Sequence, residues 1–434
     1  MSYGLLGEKL GHSFSKVLHG EMGNEDYELI PVSKDRVDDY LLAADFDGIN
    51  VTIPYKETAM RYCIPDEIAS EIGCVNTLFK KNGKVYGYNT DCLGFAYLAR
   101  QVGSSDGSQN IWKDKKVVIL GSGGTSKTAT YVALKCGASK VVIVSRKIIN
   151  DENTRPNVIH STYDDHKTWS DANILVNTTP VGMFPNNGDM PVDLDIFSSL
   201  TAVLDVIYNP LNTRLVNEAL KRGISAKNGL GMLVAQGWYS EEIWKENKNV
   251  SLNVEDKPDE DICAQIDGIT DRIYRLKQNI VLTGMPGSGK STIGKMLSHR
   301  LGCEFVDTDE MFSQKYGITP AECITADGEA KFRDMESKVV KEVSKESGIV
   351  IATGGGAVLK EENRDALKGN GYIVFLNRDP ETLSTDGRPL SQNGGVMKLY
   401  NERMPVYRSF KDIEIKVSSD EKVTFDNLIN ELFK

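Results

Sequence analysis

Short apolar runs recur along this chain. Each ends in glycine, proline or a polar cluster, and stretches of helical period lie between them. Val117-Val118-Ile119-Leu120 runs into Gly121-Ser122-Gly123-Gly124-Thr125-Ser126. A helical stretch follows as far as Cys136, Gly137 terminates it, and Lys140–Val144 is apolar again. That order predicts a β-α-β unit. Ile174-Leu175-Val176, ending in Asn177-Thr178-Thr179-Pro180, and Ala202-Val203-Leu204-Asp205-Val206-Ile207 predict further strands. Together these predict a parallel sheet whose ligands sit at the carboxyl ends of its strands. Before them, strand-like and helix-like segments alternate from Tyr3 to about Arg100, and Asp47–Ile53 reads as a strand ended by Pro54. After them, residues 246–260 are polar and contain Pro258, which predicts a linker. Ile262, Ile266, Ile269, Ile273 and Leu276 then fall at helical spacing and predict an amphipathic connecting helix packed on one domain. From Asn279 to Lys434 the pattern predicts a second α/β unit, opening with Ile280-Val281-Leu282.

Composition narrows the picture. The 434 residues are 40% hydrophobic and 26% charged, which predicts two to four ordinary globular domains. The formal net charge is −10, so neither nucleic acid nor an anionic membrane is an expected partner, and anionic ligands must be held by local cations. The 7 cysteines form no C-x-x-C pair and the 5 histidines show no metal-ligand spacing, as expected of free thiols in a reducing cytoplasm. Met1-Ser2-Tyr3-Gly4 lacks a basic stretch followed by an apolar one, so no signal peptide is expected, and no apolar run approaches the ~20 residues of a membrane span.

Two glycine loops of different chemical type carry the candidate chemistry. Gly121, Gly123 and Gly124 lie in a turn between strand and helix, where missing side chains let a pyrophosphate approach backbone N–H groups. A carboxylate after the next strand would select NAD; Ser145-Arg146-Lys147 stands there instead, and a cationic pair predicts the 2′-phosphate of NADPH. The second loop, Gly284-Met285-Pro286-Gly287-Ser288-Gly289-Lys290-Ser291, has the full P-loop spacing for ATP. Gly287, Ser288, Gly289 and Thr292 belong to its phosphate cradle, Lys290 faces the β/γ oxygens and Ser291 coordinates Mg²⁺. Asp307 and Asp309 lie two apart at a strand end. They reach one cleft if the strand opens into a loop, one carboxylate organising Mg²⁺ and the other accepting a hydroxyl proton.

The N-terminal part resembles shikimate dehydrogenase through His12-Ser13-Phe14-Ser15-Lys16, Asn50–Lys56, Cys74–Thr77, Asn89-Thr90-Asp91, Asp205–Pro210 and Asn228–Gly237. The resemblance covers most of residues 1–250 and implies NADPH-dependent reduction of 3-dehydroshikimate. It implies that Ser13, Ser15, Asn50, Thr52, Asn76, Asp91, Tyr208 and Gln236 bind substrate, that Thr178 and Gly229 join the cofactor site, and that Lys56 and Asp91 are the catalytic pair. The chemistry agrees, because hydride addition to a ketone builds an alkoxide that needs a proton donor. The family usually has proline after the second serine; here it is Lys16.

The C-terminal part resembles shikimate kinase over nearly all of 279–434, through the P-loop, Phe332–Glu336, Thr353–Gly356, Arg388-Pro389-Leu390 and Glu402–Tyr407. This implies shikimate contacts from Asp309, Arg333, Gly355, Gly356 and Arg403, a lid arginine at Arg388 and a Mg²⁺-water ligand at Asp307. It implies that Asp309, Lys290 and Arg388 are catalytic, and Leu383–Gly387 is short for a lid. The implied architecture is α/β throughout. It comprises a substrate domain at 1–100 completed by 228–250, a Rossmann-like NADP domain at 101–227, a linker and helix at 251–278, and a P-loop kinase domain at 279–434. The expected partners are 3-dehydroshikimate, shikimate and ATP, for a cytoplasmic monomer or homodimer. The rival expectations are a quinate/shikimate dehydrogenase using NAD, joined to the same kinase, and a ligand-sensing regulator with inactive sites.

Overall fold

The computed structural model describes every residue except 1, 12, 104–109, 149–154, 384–394 and 434. Its first sheet is mixed, with β1 (Tyr3–Gly7), β2 (Glu28–Pro31), β3 (Gly48–Val51), β4 (Ile64–Pro65), β5 (Thr77–Lys81) and β6 (Lys84–Tyr88) in the order β2-β1-β3-β5-β6-β4. β3 stops two residues short of the expected strand. The chain turns at Thr52, whose N–H donates to Leu6 O at 2.9 Å and whose carbonyl accepts from Tyr55 N at 2.9 Å. The turn leaves Ile53 exposed before a cis peptide bond to Pro54.

The second sheet is wholly parallel: β7 (Lys116–Leu120), β8 (Lys140–Ser145), β9 (Val158–Thr162), β10 (Ile174–Asn177), β11 (Ala202–Asp205) and β12 (Ser225–Lys227), ordered β12-β11-β10-β7-β8-β9. Winding reverses between β7 and β10, which opens a crevice above their carboxyl ends. β11 ends before Val206 because the Asp205 carboxylate turns back to accept from Ile207 N at 3.1 Å and Asn177 Nδ2 at 3.0 Å. The helices Thr90–Val102 and Leu230–Trp244 cross closely at Gly94, where a Cβ would stand 2.5 Å from Met232 O.

The third sheet is also parallel: β13 (Asn279–Thr283), β14 (Phe305–Asp307), β15 (Val350–Ala352), β16 (Gly371–Asn377) and β17 (Ile413–Lys416), ordered β14-β15-β13-β16-β17. Val281, Ile351, Ile373 and Phe375 enter the core on one face, and Leu282, Val350, Val374 and Leu376 the core on the other. Both faces being covered, the strands read as continuous apolar runs. Winding reverses here between β13 and β15.

The chain packs as two compact units. The first takes residues up to Gly182, Met190–Tyr208 and Leu215–Ile273; the second takes Met183–Asp189, Asn209–Arg214 and Tyr274 onward. The division falls elsewhere than at the polar stretch 246–260. Arg100 donates to Val254 O at 2.8 Å and Asp256 O at 2.7 Å, and Val254 is buried, so that stretch packs on the first unit. The helix Glu260–Lys277 buries Ile266, Ile269 and Ile273 as its spacing predicts, but Leu276 is exposed. Asp267 on this helix accepts from Tyr97 OH at 2.7 Å and Gln101 Nε2 at 2.8 Å.

Candidate active sites

Lys56 opens the helix Lys56–Ala59 just after the Thr52 turn, and Asp91 lies in the first turn of Thr90–Val102. A carboxylate is favoured at that N–H-rich end. Lys56 Nζ stands 2.5 Å from Asp91 Oδ2, and both side chains keep partial exposure. Asn76 Nδ2 points at Asp91 Oδ1 (3.0 Å), Thr90 Oγ1 (3.0 Å) and Gln236 Oε1 (3.2 Å). Its carbonyl accepts from Thr90 N at 2.7 Å. Asn50 accepts from Tyr27 OH at 2.8 Å and donates to Ser240 Oγ at 2.9 Å and Thr77 Oγ1 at 3.1 Å. The structure therefore gathers Lys56, Asp91, Asn76, Gln236 and Asn50 around one buried polar network. Ser13 Oγ donates to Ser15 Oγ at 3.0 Å, while the Phe14 ring packs 5.3 Å from that of Tyr208. Among the described residues no hydrogen bond joins Ser13, Ser15, Thr52 or Tyr208 to the Asn76 network.

The first glycine loop follows β7. Gly121 has φ +103°, and a Cβ there would lie 2.7 Å from Thr178 Oγ1, which itself donates to Leu120 O at 2.6 Å. A Cβ on Gly123 or Gly124 would meet open space, and helix Gly124–Lys135 has no side-chain cap. An open cradle at an uncapped helix start fits a dinucleotide pyrophosphate. Ser145 ends β8 with its hydroxyl bonded to Lys147 O at 2.6 Å, and Arg146 and Lys147 are exposed just beyond the strand that neighbours β7. That placement fits a 2′-phosphate. Lys127 on the same helix pairs with Glu57 at 2.8 Å, which brings the loop's helix beside Lys56. Gly229 has a packing reason of its own, since a Cβ there would lie 2.0 Å from Val206 O.

In the second unit a cleft of about 460 Å³ opens over β13 and β15. Gly284, Gly287 and Gly289 all have positive φ and bend the P-loop around it. Lys290, mostly buried, donates to Gly284 O and Met285 O at 3.0 Å each. Ser291 Oγ donates to Asp307 Oδ2 at 2.6 Å, and Ser288 Oγ is buried with no hydrogen-bond partner among the described residues. The strand β14 does not open into a loop: Asp307 caps the helix Thr308–Tyr316 by accepting from Asp309 N at 2.9 Å, and this cap turns both carboxylates to the cleft. Burial, then the charges of Asp307 and Glu336, push the Asp309 carboxyl up to about 6 against the pull of Lys290 and Arg333.

Arg333 donates to Glu336 at 2.8 Å and Glu329 at 3.0 Å, and lies flat against Gly356, where a Cβ would meet its guanidinium at 2.2 Å. Gly355 sits against Pro286 of the P-loop, and its carbonyl accepts from Tyr407 OH. Arg403 is buried, and its Nε has no hydrogen-bond partner among the described residues. Gly287, Gly289, Lys290, Ser291, Thr292, Asp307, Asp309, Arg333, Gly355, Gly356 and Arg403 all line the cleft. Arg388 and positions 384–387 of the short lid lie outside the described residues.

Several residues were missed by sequence reasoning. Thr77, Thr90 and Ser240 tie the two asparagines together; Ser240 lies one helical turn after Gln236, the only signal it carries. Glu336 orients Arg333 from three residues on, a spacing that places both on one helix face. Arg378 lines the cleft and has no sequence signal.

A Rossmann sheet with a lysine–carboxylate pair beside its glycine loop, joined to a P-loop sheet with paired aspartates, defines a nicotinamide-dependent oxidoreductase carrying a phosphotransferase unit. Residues 5–78 match the family model of the shikimate dehydrogenase substrate binding domain, and 286–433 that of shikimate kinase. The shikimate dehydrogenase (NADP(+)) of Clostridium beijerinckii is 36% identical over 255 residues, 56% of this chain and 92% of that protein. Among solved structures, shikimate dehydrogenase 1 from Peptoclostridium difficile is 33% identical with a TM-score of 0.53, covering 63% of this chain and 97% of that one. A chorismate mutase/shikimate 5-dehydrogenase fusion protein from Clostridium acetobutylicum is 32% identical with a TM-score of 0.52, covering 63% and 96%. The chain belongs to the shikimate dehydrogenase family and carries a shikimate kinase domain behind it.

Proposed function

We propose that this single chain reduces 3-dehydroshikimate to shikimate with NADPH and then phosphorylates the 3-hydroxyl of shikimate with ATP. The observation that carries this reading is the presence of two sites in one chain whose reactions are consecutive, the Lys56–Asp91 pair on one sheet system and the Lys290–Asp309 cleft on another. When bound, the nicotinamide supplies a hydride and the triphosphate supplies a phosphoryl group.

In the first reaction Asn50, Asn76 and Gln236 hold ring hydroxyls, and the Ser13–Ser15 pair holds the carboxylate with Thr52 and Tyr208 close by. Lys56 gives its proton to the carbonyl oxygen as that oxygen gains charge. Asp91 keeps the ammonium in place, and the buried amides behind it fix the carboxylate. Gly121, Gly123, Gly124, Thr178 and Gly229 border the cofactor crevice, and Ser145, Arg146 and Lys147 receive the 2′-phosphate.

In the second reaction Arg333 and Arg403 clamp the shikimate carboxylate, a task suited to planar guanidinium forks. Gly355 and Gly356 let the ring approach the backbone. Asp309 accepts the proton of the attacking hydroxyl, and Lys290 neutralises phosphate oxygens. Ser291 and Asp307 are the residues fitted to hold Mg²⁺, with phosphate and water completing its shell. Seven unpaired thiols suit a reducing cytoplasm.

The test supplies 3-dehydroshikimate, NADPH and Mg-ATP, with products identified by mass. Shikimate 3-phosphate should form with one NADPH and one ATP consumed per molecule. Nicotinamide binding without oxidation would favour a regulator, and shikimate accumulating unphosphorylated would remove the kinase half.

A further inference from the structure

The cleft of the second unit holds a cation that the mechanism above leaves unused. Arg378 lies just past β16, on the flank of β13 opposite β14 and β15, the strands whose ends carry Asp307 and Gly354–Gly356. Asp307 and Gly354–Gly356, with Arg333 lying against Gly356, therefore belong to one flank of the P-loop and Arg378 to the other. Its guanidinium lines the same cleft as Gly287, Gly289 and Lys290. Among the described residues it is held by neutral oxygens, Nε to Thr382 Oγ1 at 3.2 Å and NH1 to Gly287 O at 3.4 Å. Among the described residues no carboxylate pairs with it. Arg333, by contrast, is committed to Glu329 and Glu336.

We infer that Arg378 binds the nucleotide, its guanidinium moving from the Gly287 carbonyl to oxygens of the phosphate chain as the P-loop fills. The inference rests on the kinase reading of this cleft. A cation standing over a P-loop without a counter-ion gains most from an anion, and a planar fork can meet two phosphate oxygens at once. The 3.4 Å bond to a carbonyl is long and costs little to give up.

The test is Arg378→Gln and Arg378→Lys in the full chain. One hydrogen bond to a charged partner corresponds to about 10- to 100-fold in affinity. Arg378→Gln should raise the ATP KM by about that factor, weaken calorimetric binding of Mg-ADP equally, and leave the shikimate KM within about twofold. Arg378→Lys, which keeps the charge but loses the fork, should fall between. Unchanged ATP KM and ADP affinity in an active kinase would overturn the assignment while leaving the kinase reading intact. Equal loss for ATP and shikimate would also overturn it, by showing a structural role. Wild-type protein that neither binds Mg-ADP nor phosphorylates shikimate would overturn the kinase reading, and the assignment with it.

Discussion

In the proposed reactions Lys56 and Asp309 handle protons in opposite directions: Lys56 donates to an oxygen that is gaining charge, and Asp309 accepts from an oxygen about to attack. Lys56→Ala removes the donor and should slow 3-dehydroshikimate reduction by roughly 10²–10⁴-fold, the range of general acid catalysis. Shikimate phosphorylation by the same protein should be unchanged, since the pair belongs to the first unit and the P-loop cleft to the second; reduction within a few-fold of wild type would dismiss Lys56 as the donor. Asp309 must be ionised to act, and its carboxyl is pushed up to about 6. Phosphorylation kcat/KM should therefore fall about tenfold per pH unit below that value and level off above it. Stability should follow the opposite course. The folded state holds this proton more tightly than the unfolded chain, whose carboxyl titrates near 3.8. Stability is therefore lost as pH rises from about 4 to about 6 and stays lower above. Asp309→Asn should abolish the kinase yet stabilise the second unit at pH 7 by on the order of 1–3 kcal/mol, with little gain at pH 4. Melting curves at the two pH values decide; equal shifts at both would refute the burial argument.

Among the elements, Glu260–Lys277 shows how far periodicity carries. Its isoleucine spacing correctly placed three buried residues, and Ile266, completely buried, is a suitable probe. Ile266→Ala should cost about 2–5 kcal/mol and lower the melting temperature of the reductase, with the kinase KM values unmoved. Loss of kinase activity instead would place the helix with the second unit. Strands of the parallel sheets and both glycine loops were readable because a covered strand is a continuous apolar run and a phosphate loop is a local pattern. The network of Tyr27, Thr77, Thr90 and Ser240 was not. Thr77 and Thr90 stand inside the polar motifs Cys74–Thr77 and Asn89-Thr90-Asp91, but no local pattern says that they meet Tyr27 and Ser240; strand pairing and a helix crossing at Gly94 bring the four together behind Asn50 and Asn76. Arg378 escaped for the same reason: its neighbour Gly287 is 91 residues away and meets it only through the pairing of β13 with β16. The turn at Thr52 and the cap at Asp307 were misread as a longer strand and an open loop, because each depends on hydrogen bonds that composition does not reveal.

For the whole molecule, the polar stretch 246–260 predicted a linker, and a linker implies few contacts across it. The packing alters that expectation. Val254 and the helix that follows belong with the first unit, so a fragment of residues 1–250 loses buried apolar surface and the partners of Tyr97 and Arg100. A fragment of residues 1–277 keeps them and should reduce 3-dehydroshikimate with near-native KM values, whereas 1–250 should melt markedly lower. The second unit is completed from upstream. Leu211 is buried, its N–H donates to Asn370 Oδ1 at 2.8 Å, and Asn212 N donates to Gly369 O at 2.8 Å. A fragment of residues 261–434 keeps the whole third sheet, the P-loop and both aspartates, so it should still phosphorylate shikimate. It lacks 183–189 and 209–214, however. Two buried hydrogen bonds at about 1 kcal/mol each and one leucine at about 2 kcal/mol put the deficit at about 4 kcal/mol. Urea titration followed by kinase activity should show the fragment failing at lower denaturant than the kinase activity of the full chain. Supplying the 1–277 fragment in trans, which carries both missing stretches, should restore part of the difference. A fragment as resistant as the full chain would mean that Leu211 and its neighbours rest on the second unit without stabilising it.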